Sequence, residues 1–270
     1  MGTATVQTQH AAERLGLPME KIRFDYGDST LPAAGVAGGS SQTVSVALAV
    51  EEAAERVLKE LLSLAQDHSD SPLAATRFDD VQAVNEGIFR KEHPAIGETY
   101  TAILQRAGKD FVAVELKTGP PLETMKYSMH SYAAQFCEVR VHDYTGEVRV
   151  SRFVGSFDTG RILNPKTAVS QFRGGIIMGI GMALTEETMF DERTGRIMNA
   201  SLAEYHDPVQ ADVPHIDIVY TDVGDPHTPL GAHGIGEIGI TGVAAAIANA
   251  VYHATGKRIT SLPITLDKLL

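Results

Sequence analysis

The spacing of hydrophobic and polar positions divides the chain into helical and strand-like stretches. "GTATVQTQHAAERLGLP" reads as a helix, with Thr3 or Thr5 as its cap and Gly16 then Pro18 as its stop. "KIRFDYGD" alternates Ile22, Phe24 and Tyr26, the period of a strand. A glycine-rich loop follows, and then Val50, Ala53, Ala54, Val57, Leu58, Leu61 and Leu64 mark one face of a long amphipathic helix. "DDVQAVNEGIFRK" predicts strand and turn, "GETYTAILQRAG" a short helix closed by Gly108, and "DFVAVELKT" a further strand. The pattern breaks between Lys117 and Ser131, where Gly119, Pro120 and Pro121 set a boundary.

Beyond that boundary, "QFCEVRV", the turn "HDYTGE" and "VRVSRFVGSF" predict a hairpin. Asn164 and Pro165 then open a helix whose apolar face is Phe172, Ile176, Ile180 and Leu184. "HIDIVYTD" predicts a strand, and "TGVAAAIANAVYHATG" a buried helix ending at Gly256. Strand, glycine loop and helix follow one another around 22–66 and again around 215–255. The expectation is an α+β fold of two α/β lobes, 1–118 and 132–270, with mixed sheets covered by helices.

Composition narrows the function. The 270 residues are 43% hydrophobic and 21% charged, enough apolar material for a real core. The net charge of −11 argues against a nucleic-acid partner and against an anionic membrane surface. No apolar run is long enough to span a bilayer. The N-terminus lacks a basic stretch followed by an apolar one, so the expected location is cytoplasmic, with co-export on a partner into the periplasm as the alternative. The single cysteine, Cys137, sits in the strand pattern "AAQFCEVRV" and reads as a small core residue; one cysteine cannot ligate an iron–sulfur cluster.

Three stretches carry candidate chemistry. In "AGGSSQT", Gly38, Gly39, Ser40, Ser41 and Gln42 stand just ahead of a helix. Successive amides there can cradle an anion, or a serine can simply cap the helix. In "SQFRGGIIMGIGMAL", Gly174, Gly175, Gly179 and Gly181 point to close backbone packing, and Gln171 either reads the edge of a heterocycle or faces water. In "PLGAHGIGEIGITG", five glycines fall within the twelve residues from Gly231 to Gly242, with Glu237 among them. His233 and Glu237 are four apart, as in a helical zinc site, but Gly234 and Gly236 argue against a helix and against a metal ligand set. Glu237 is then either a general base in a glycine-lined loop or a helix-capping surface residue.

Taken together, "LPAAGVAGGSSQT", "FDTGRILNPKTAVSQFRGGIIMGIGMALTEE" and "PLGAHGIGEIGITG" resemble the molybdenum-cofactor-binding subunit of the xanthine dehydrogenase and aldehyde oxidase family. The likeness is strongest to bacterial aldehyde oxidoreductases that use molybdopterin cytosine dinucleotide. It implies that Glu237 is the catalytic glutamate and that Gly38, Gly39, Ser40, Ser41 and Gln42 hold the cofactor. Gln171 would hydrogen-bond the pterin, and Gly236 would let the backbone approach the metal. It implies oxidative hydroxylation of an aldehyde or an N-heterocycle, with water as the oxygen source. Electrons would leave through iron–sulfur and FAD groups carried by partner subunits. A homodimer fits the same picture.

The chain begins inside what resembles the family's "[DE]-x-G-x-G" turn, with Thr3 where many relatives have glutamine and Ala4 where glycine is usual. It is therefore expected to be a truncated, C-terminal half, completed by the N-terminal half of a molybdenum subunit. The alternative is a cofactor-free, non-catalytic fragment or assembly domain. A hydrolase using Glu237 is the weakest reading, since no nucleophile or metal set accompanies it.

Overall fold

In the computed structural model, which describes residues 2–120 and 122–270, the chain divides into two compact units, one running to Tyr127 and one from Ser128 to Leu270. The first is built from helices α1 (Thr3–Leu15), α2 (Gln42–Gln66) and α3 (Tyr100–Arg106) and strands β1 (Val81–Val84), β2 (Gly87–Arg90) and β3 (Gly97–Thr99). The three strands pair antiparallel in chain order. Asn85 and Glu86, between β1 and β2, both have left-handed φ, of 49° and 60°, as a two-residue hairpin turn with the twist of its strands requires. Helix α2 lays Leu58, Leu61, Leu62 and Ala65 against Leu73, Val81, Ile88 and Ile103 to make this unit's core.

The second unit contains β4 (Tyr132–Val141), β5 (Val148–Asp158), α4 (Pro165–Leu184), β6 (His215–Tyr220) and α5 (Val243–Thr255). β4 and β5 form the expected hairpin, with a register shift at Glu138/Val139; β6 lies parallel to β5, joined to it through α4. A parallel partner needs such a crossover, so α4 is forced onto one face of the sheet. There Phe153 and Phe157 of β5 meet Phe172, Ile176 and Ile180 of α4, and Val243, Ile247 and Val251 of α5 complete the core. The rings of Phe157 and Phe172 stack with centroids 4.1 Å apart. Each such side chain contributes about 1.5–3 kcal/mol by leaving water. Cys137 lies in β4 against this core, and burial pushes its thiol up to about 12, as a packing residue rather than a nucleophile requires.

The architecture is α+β, but four expectations fail in detail. First, 22–28 is not a strand: Ile22 is extended, with φ −102° and ψ 129°, yet no strand pairs with the segment. Second, 110–118 is not a strand either, although Val112, Val114 and Leu116 are half-buried in alternation. In both, period-two alternation set the expectation, but a strand needs a hydrogen-bonded neighbour, and none of the described strands supplies one. The resemblance between the two halves is thereby reduced to a loop and a helix. Third, the first unit's sheet is wholly antiparallel; only the second is mixed. Fourth, neither Thr3 nor Thr5 caps α1. Gly2 does, with left-handed φ and no side-chain bond, while the expected stop at Gly16 is present with φ 59°. Among the described residues, no helix is long and apolar enough to cross a membrane.

Candidate cofactor and active site

Gly38, Gly39, Ser40, Ser41 and Gln42 form the approach to α2 in the first unit. The segment is open to solvent, and a Cβ built at Gly39 would meet nothing within 4 Å. Gly39 and Ser40 both have left-handed φ, 60° and 54°; glycine adopts this freely, whereas serine does so only at a cost. Ser41 holds the N-cap position without capping. Its Oγ donates back to the Gly38 carbonyl at 2.9 Å and accepts nothing from the helix. The first-turn amides of α2 therefore lack the usual side-chain acceptor and face outward at the positive end of a 25-residue helix. Of the two sequence readings, the ordinary serine cap is the one this geometry removes.

Helix α4 begins where the sequence places it. Asn164 Oδ1 accepts from the backbone N–H of Lys166 and Thr167, and Pro165 occupies the first turn. Its glycines serve packing. A Cβ on Gly175 would come within 2.8 Å of the Gly239 backbone, and one on Gly179 within 2.5 Å of the Val243 side chain. The first glycine thus brings the helix backbone onto the turn just after Glu237, and the second seats it on α5. Gln171 is one turn before Gly175 on the same face of α4. It is half-buried, and among the described residues its amide has no hydrogen-bond partner.

The Glu237 stretch is not helical. Residues 236–242 run through successive turns into α5, as its glycines predict, and both Gly236 and Glu237 are exposed. The Glu237 carboxylate carries no hydrogen bond or ion pair among the described residues. His233, the other half of the rejected zinc spacing, instead bonds Asp225 Oδ2 through Nε2 at 2.7 Å. Among the described residues, no three His, Cys, Asp or Glu side chains group to hold a metal. Upstream, Leu230 has φ 58°, costly for so large a side chain and invisible in the sequence pattern. So the second unit brings α4, at Phe172 and Gly175, against Gly239, two residues after Glu237, while Gly38–Gln42 belong to the first unit.

A model of the molybdopterin cofactor-binding domain matches residues 1–214. The chain belongs to that family. The match spans Gly38–Gln42 and Gln171 and stops before Gly236 and Glu237, but curated relatives align over all of it. The aldehyde oxidoreductase molybdenum-binding subunit PaoC of Escherichia coli O157:H7 is 40% identical over 272 residues, covering 100% of this chain and 35% of that one. The 6-hydroxypseudooxynicotine dehydrogenase complex subunit gamma of Paenarthrobacter nicotinovorans is 32% identical, covering 99% of this chain and 34% of its own length. In fold, quinoline 2-oxidoreductase from Pseudomonas putida 86 superposes with a TM-score of 0.80 at 23% identity, over 99% of this chain and 34% of that one. The chain thus spans about a third of the length of the relatives it matches.

The residues present fit the family's ligand on one physical test. A phosphate-bearing cofactor needs open backbone amides at a positive helix end, and the uncapped start of α2 offers them beside Gly39, where a Cβ would meet nothing within 4 Å.

Proposed function

We propose that this chain is the C-terminal part of a molybdenum hydroxylase that oxidises aldehydes or N-heterocycles, with Glu237 as general base. The observation that carries the reading is the uncapped, serine- and glycine-lined start of α2 in a chain of this family. Gly38, Gly39, Ser40, Ser41 and Gln42 would hold the phosphates of molybdopterin, in its cytosine dinucleotide form, through backbone amides and hydroxyls. Gln171, whose amide has no partner among the described residues, would donate to and accept from the pterin edge. Gly236 would keep side chains out of the space the cofactor needs.

The bound cofactor supplies the two-electron oxidation. An aldehyde and water give a carboxylic acid, two protons and two electrons. Glu237 Oε takes a proton from the attacking water, which raises the nucleophilicity of its oxygen as the carbon–oxygen bond forms. Among the described residues no bond ties up the Glu237 carboxylate, which leaves its oxygens to accept that proton. Iron–sulfur and FAD groups on partner subunits would take up the electrons, and the N-terminal half of the subunit would complete the pocket. A cytoplasmic home with this assembly, as a homodimer or otherwise, goes with the proposal.

Metal and nucleotide analysis tests it. The 270-residue chain is purified alone and together with the polypeptides that complete the enzyme. Molybdenum near one per chain, with cytosine nucleotide released on acid treatment, is the expected result in the assembly. Absence of molybdenum from both samples overturns the proposal and leaves the non-catalytic fragment.

A further inference from the structure

The loop bearing Glu237 raises a mechanical problem. It contains Gly234, Gly236, Gly239 and Gly242, and glycine has the most backbone freedom to lose. A base must nevertheless be held in place to act. Two polar devices meet the loop at its ends, and two of their residues, Gln135 and Asp225, lie outside the three stretches that carry the resemblance.

At the leading end, Asp225 and His233 are largely buried, 20% and 15% exposed, and bonded at 2.7 Å. The other oxygen of Asp225 accepts the His227 N–H at 2.8 Å. These two bonds, the backbone one first, hold its carboxyl below the usual carboxylate range. His233 also donates its own N–H to the Thr159 carbonyl at 2.9 Å, just beyond β5. At the trailing end, Gln135 of β4 donates through Nε2 to the Gly239 carbonyl at 2.9 Å. Its Oε1 is buried without a partner and lies against Gly242, where a Cβ would come within 2.8 Å of it. Gly239 is pressed from the other side by the α4 backbone at Phe172 and Gly175. Glu237 therefore rides on the short span between two fixed points, His233 and Gly239.

We propose that Gln135 and the Asp225–His233 pair are positioning residues that clamp the two ends of this span and so set the direction of the Glu237 carboxylate. The part concerning catalysis rests on the reading of Glu237 as the base; the clamp itself does not. An unpaired buried amide oxygen costs stability, and the amide group that carries it makes its one bond to this loop. Gln135 is the sharper probe. Replacing it with methionine keeps the length, removes the unpaired oxygen and deletes only the bond to Gly239.

The test measures hydrogen exchange on the full chain, comparing wild type with Gln135→Met, Asp225→Ala and His233→Gln. Peptides covering 233–241, where the amides of His233, Ile240 and Thr241 donate to the Thr159, Glu237 and Ile238 carbonyls, should exchange about tenfold faster in the first two variants, with β5 and α4 unchanged. His233→Gln keeps a side-chain N–H for Asp225 and should stay near wild type. Unchanged exchange at 233–241 in Gln135→Met overturns the clamp, and so does acceleration spread evenly over β5 and α4. Should Asp225→Ala not fold, Gln135→Met alone decides.

In the loaded enzyme, Gln135→Met should lower kcat about tenfold with KM within about threefold. If Glu237→Gln abolishes turnover and Gln135→Met leaves kcat intact, the positioning role is overturned even with a loosened loop. If Glu237→Gln remains active, the base assignment fails, and the exchange data still decide the clamp.

Discussion

At the scale of single residues, Glu237 and the glycines around it make separate demands. Glu237→Gln keeps size and removes the base. In the assembled enzyme it should retain molybdenum and lose turnover by about 10²–10⁴-fold, read by steady-state kinetics beside metal analysis. The α4 glycines answer to sterics. Gly174→Ala meets nothing within 4 Å and should be neutral or stabilising by up to about 1 kcal/mol, since alanine is the better helix former. Gly175→Ala and Gly179→Ala push a methyl into the Gly239 backbone and the Val243 side chain and should cost about 1–3 kcal/mol in denaturant titrations. The sequence showed that this run packs closely against something. It could not tell Gly174 from Gly175, because the distinction depends on which side of α4 meets the 239–243 segment.

At the scale of elements, two helix starts that look alike in sequence behave differently. Asn164 accepts two backbone N–H groups, so Asn164→Ala should cost about 1 kcal/mol. Ser41 accepts none, so Ser41→Ala should cost no more than a few tenths, about what a surface change costs. Thermal melts of the two variants make the comparison. Between β3 and α3, Glu98 bridges both nitrogens of the Arg106 fork, with Nη2–Oε2 at 2.6 Å, and accepts from Ser71 Oγ at 2.7 Å. Arg106 first, and Ser71 after it, hold the Glu98 carboxyl below its ordinary range, against the opposing effect of burial. A depressed folded value stabilises at pH above the unfolded value, about 4.5, and that stability is lost as pH falls through the folded value below it. Wild type should therefore lose this stability below that point, whereas Glu98→Gln should already lack it at pH 7 and show a flatter acid limb. Acid titration followed by circular dichroism decides.

At the scale of the whole molecule, two strand-patterned segments lie outside both sheets. Amides of 23–28 and 111–117 should exchange among the fastest in the chain, while those shared by β4 and β5 should be among the slowest. Protection of the first two segments equal to β5 would contradict the architecture. Phe111, Leu122 and Met125 are exposed at 72%, 76% and 86%, so the isolated chain should also bind a hydrophobic dye.

Local periodicity and end signals determined much of this protein. The presence of α1, α2, α4 and α5, the β4–β5 hairpin, the glycine stops at Gly16 and Gly256 and the Asn164 cap all follow from neighbours within a few positions, because helix and turn hydrogen bonds close over that range. Three ordered motifs were enough to indicate the family, which the match over residues 1–214 shows. Tertiary structure alone decided the rest. Whether 22–28 and 110–118 become strands depends on a partner that no local pattern contains. The parallel seat of β6 depends on α4 crossing the sheet. The uncapped state of Ser41 depends on a left-handed turn at Ser40. Gln135, in an ordinary strand pattern, and Asp225 reach the Glu237 loop from 104 and eight residues away from their bonded partners, and contacts over such separations exist only once the chain has folded.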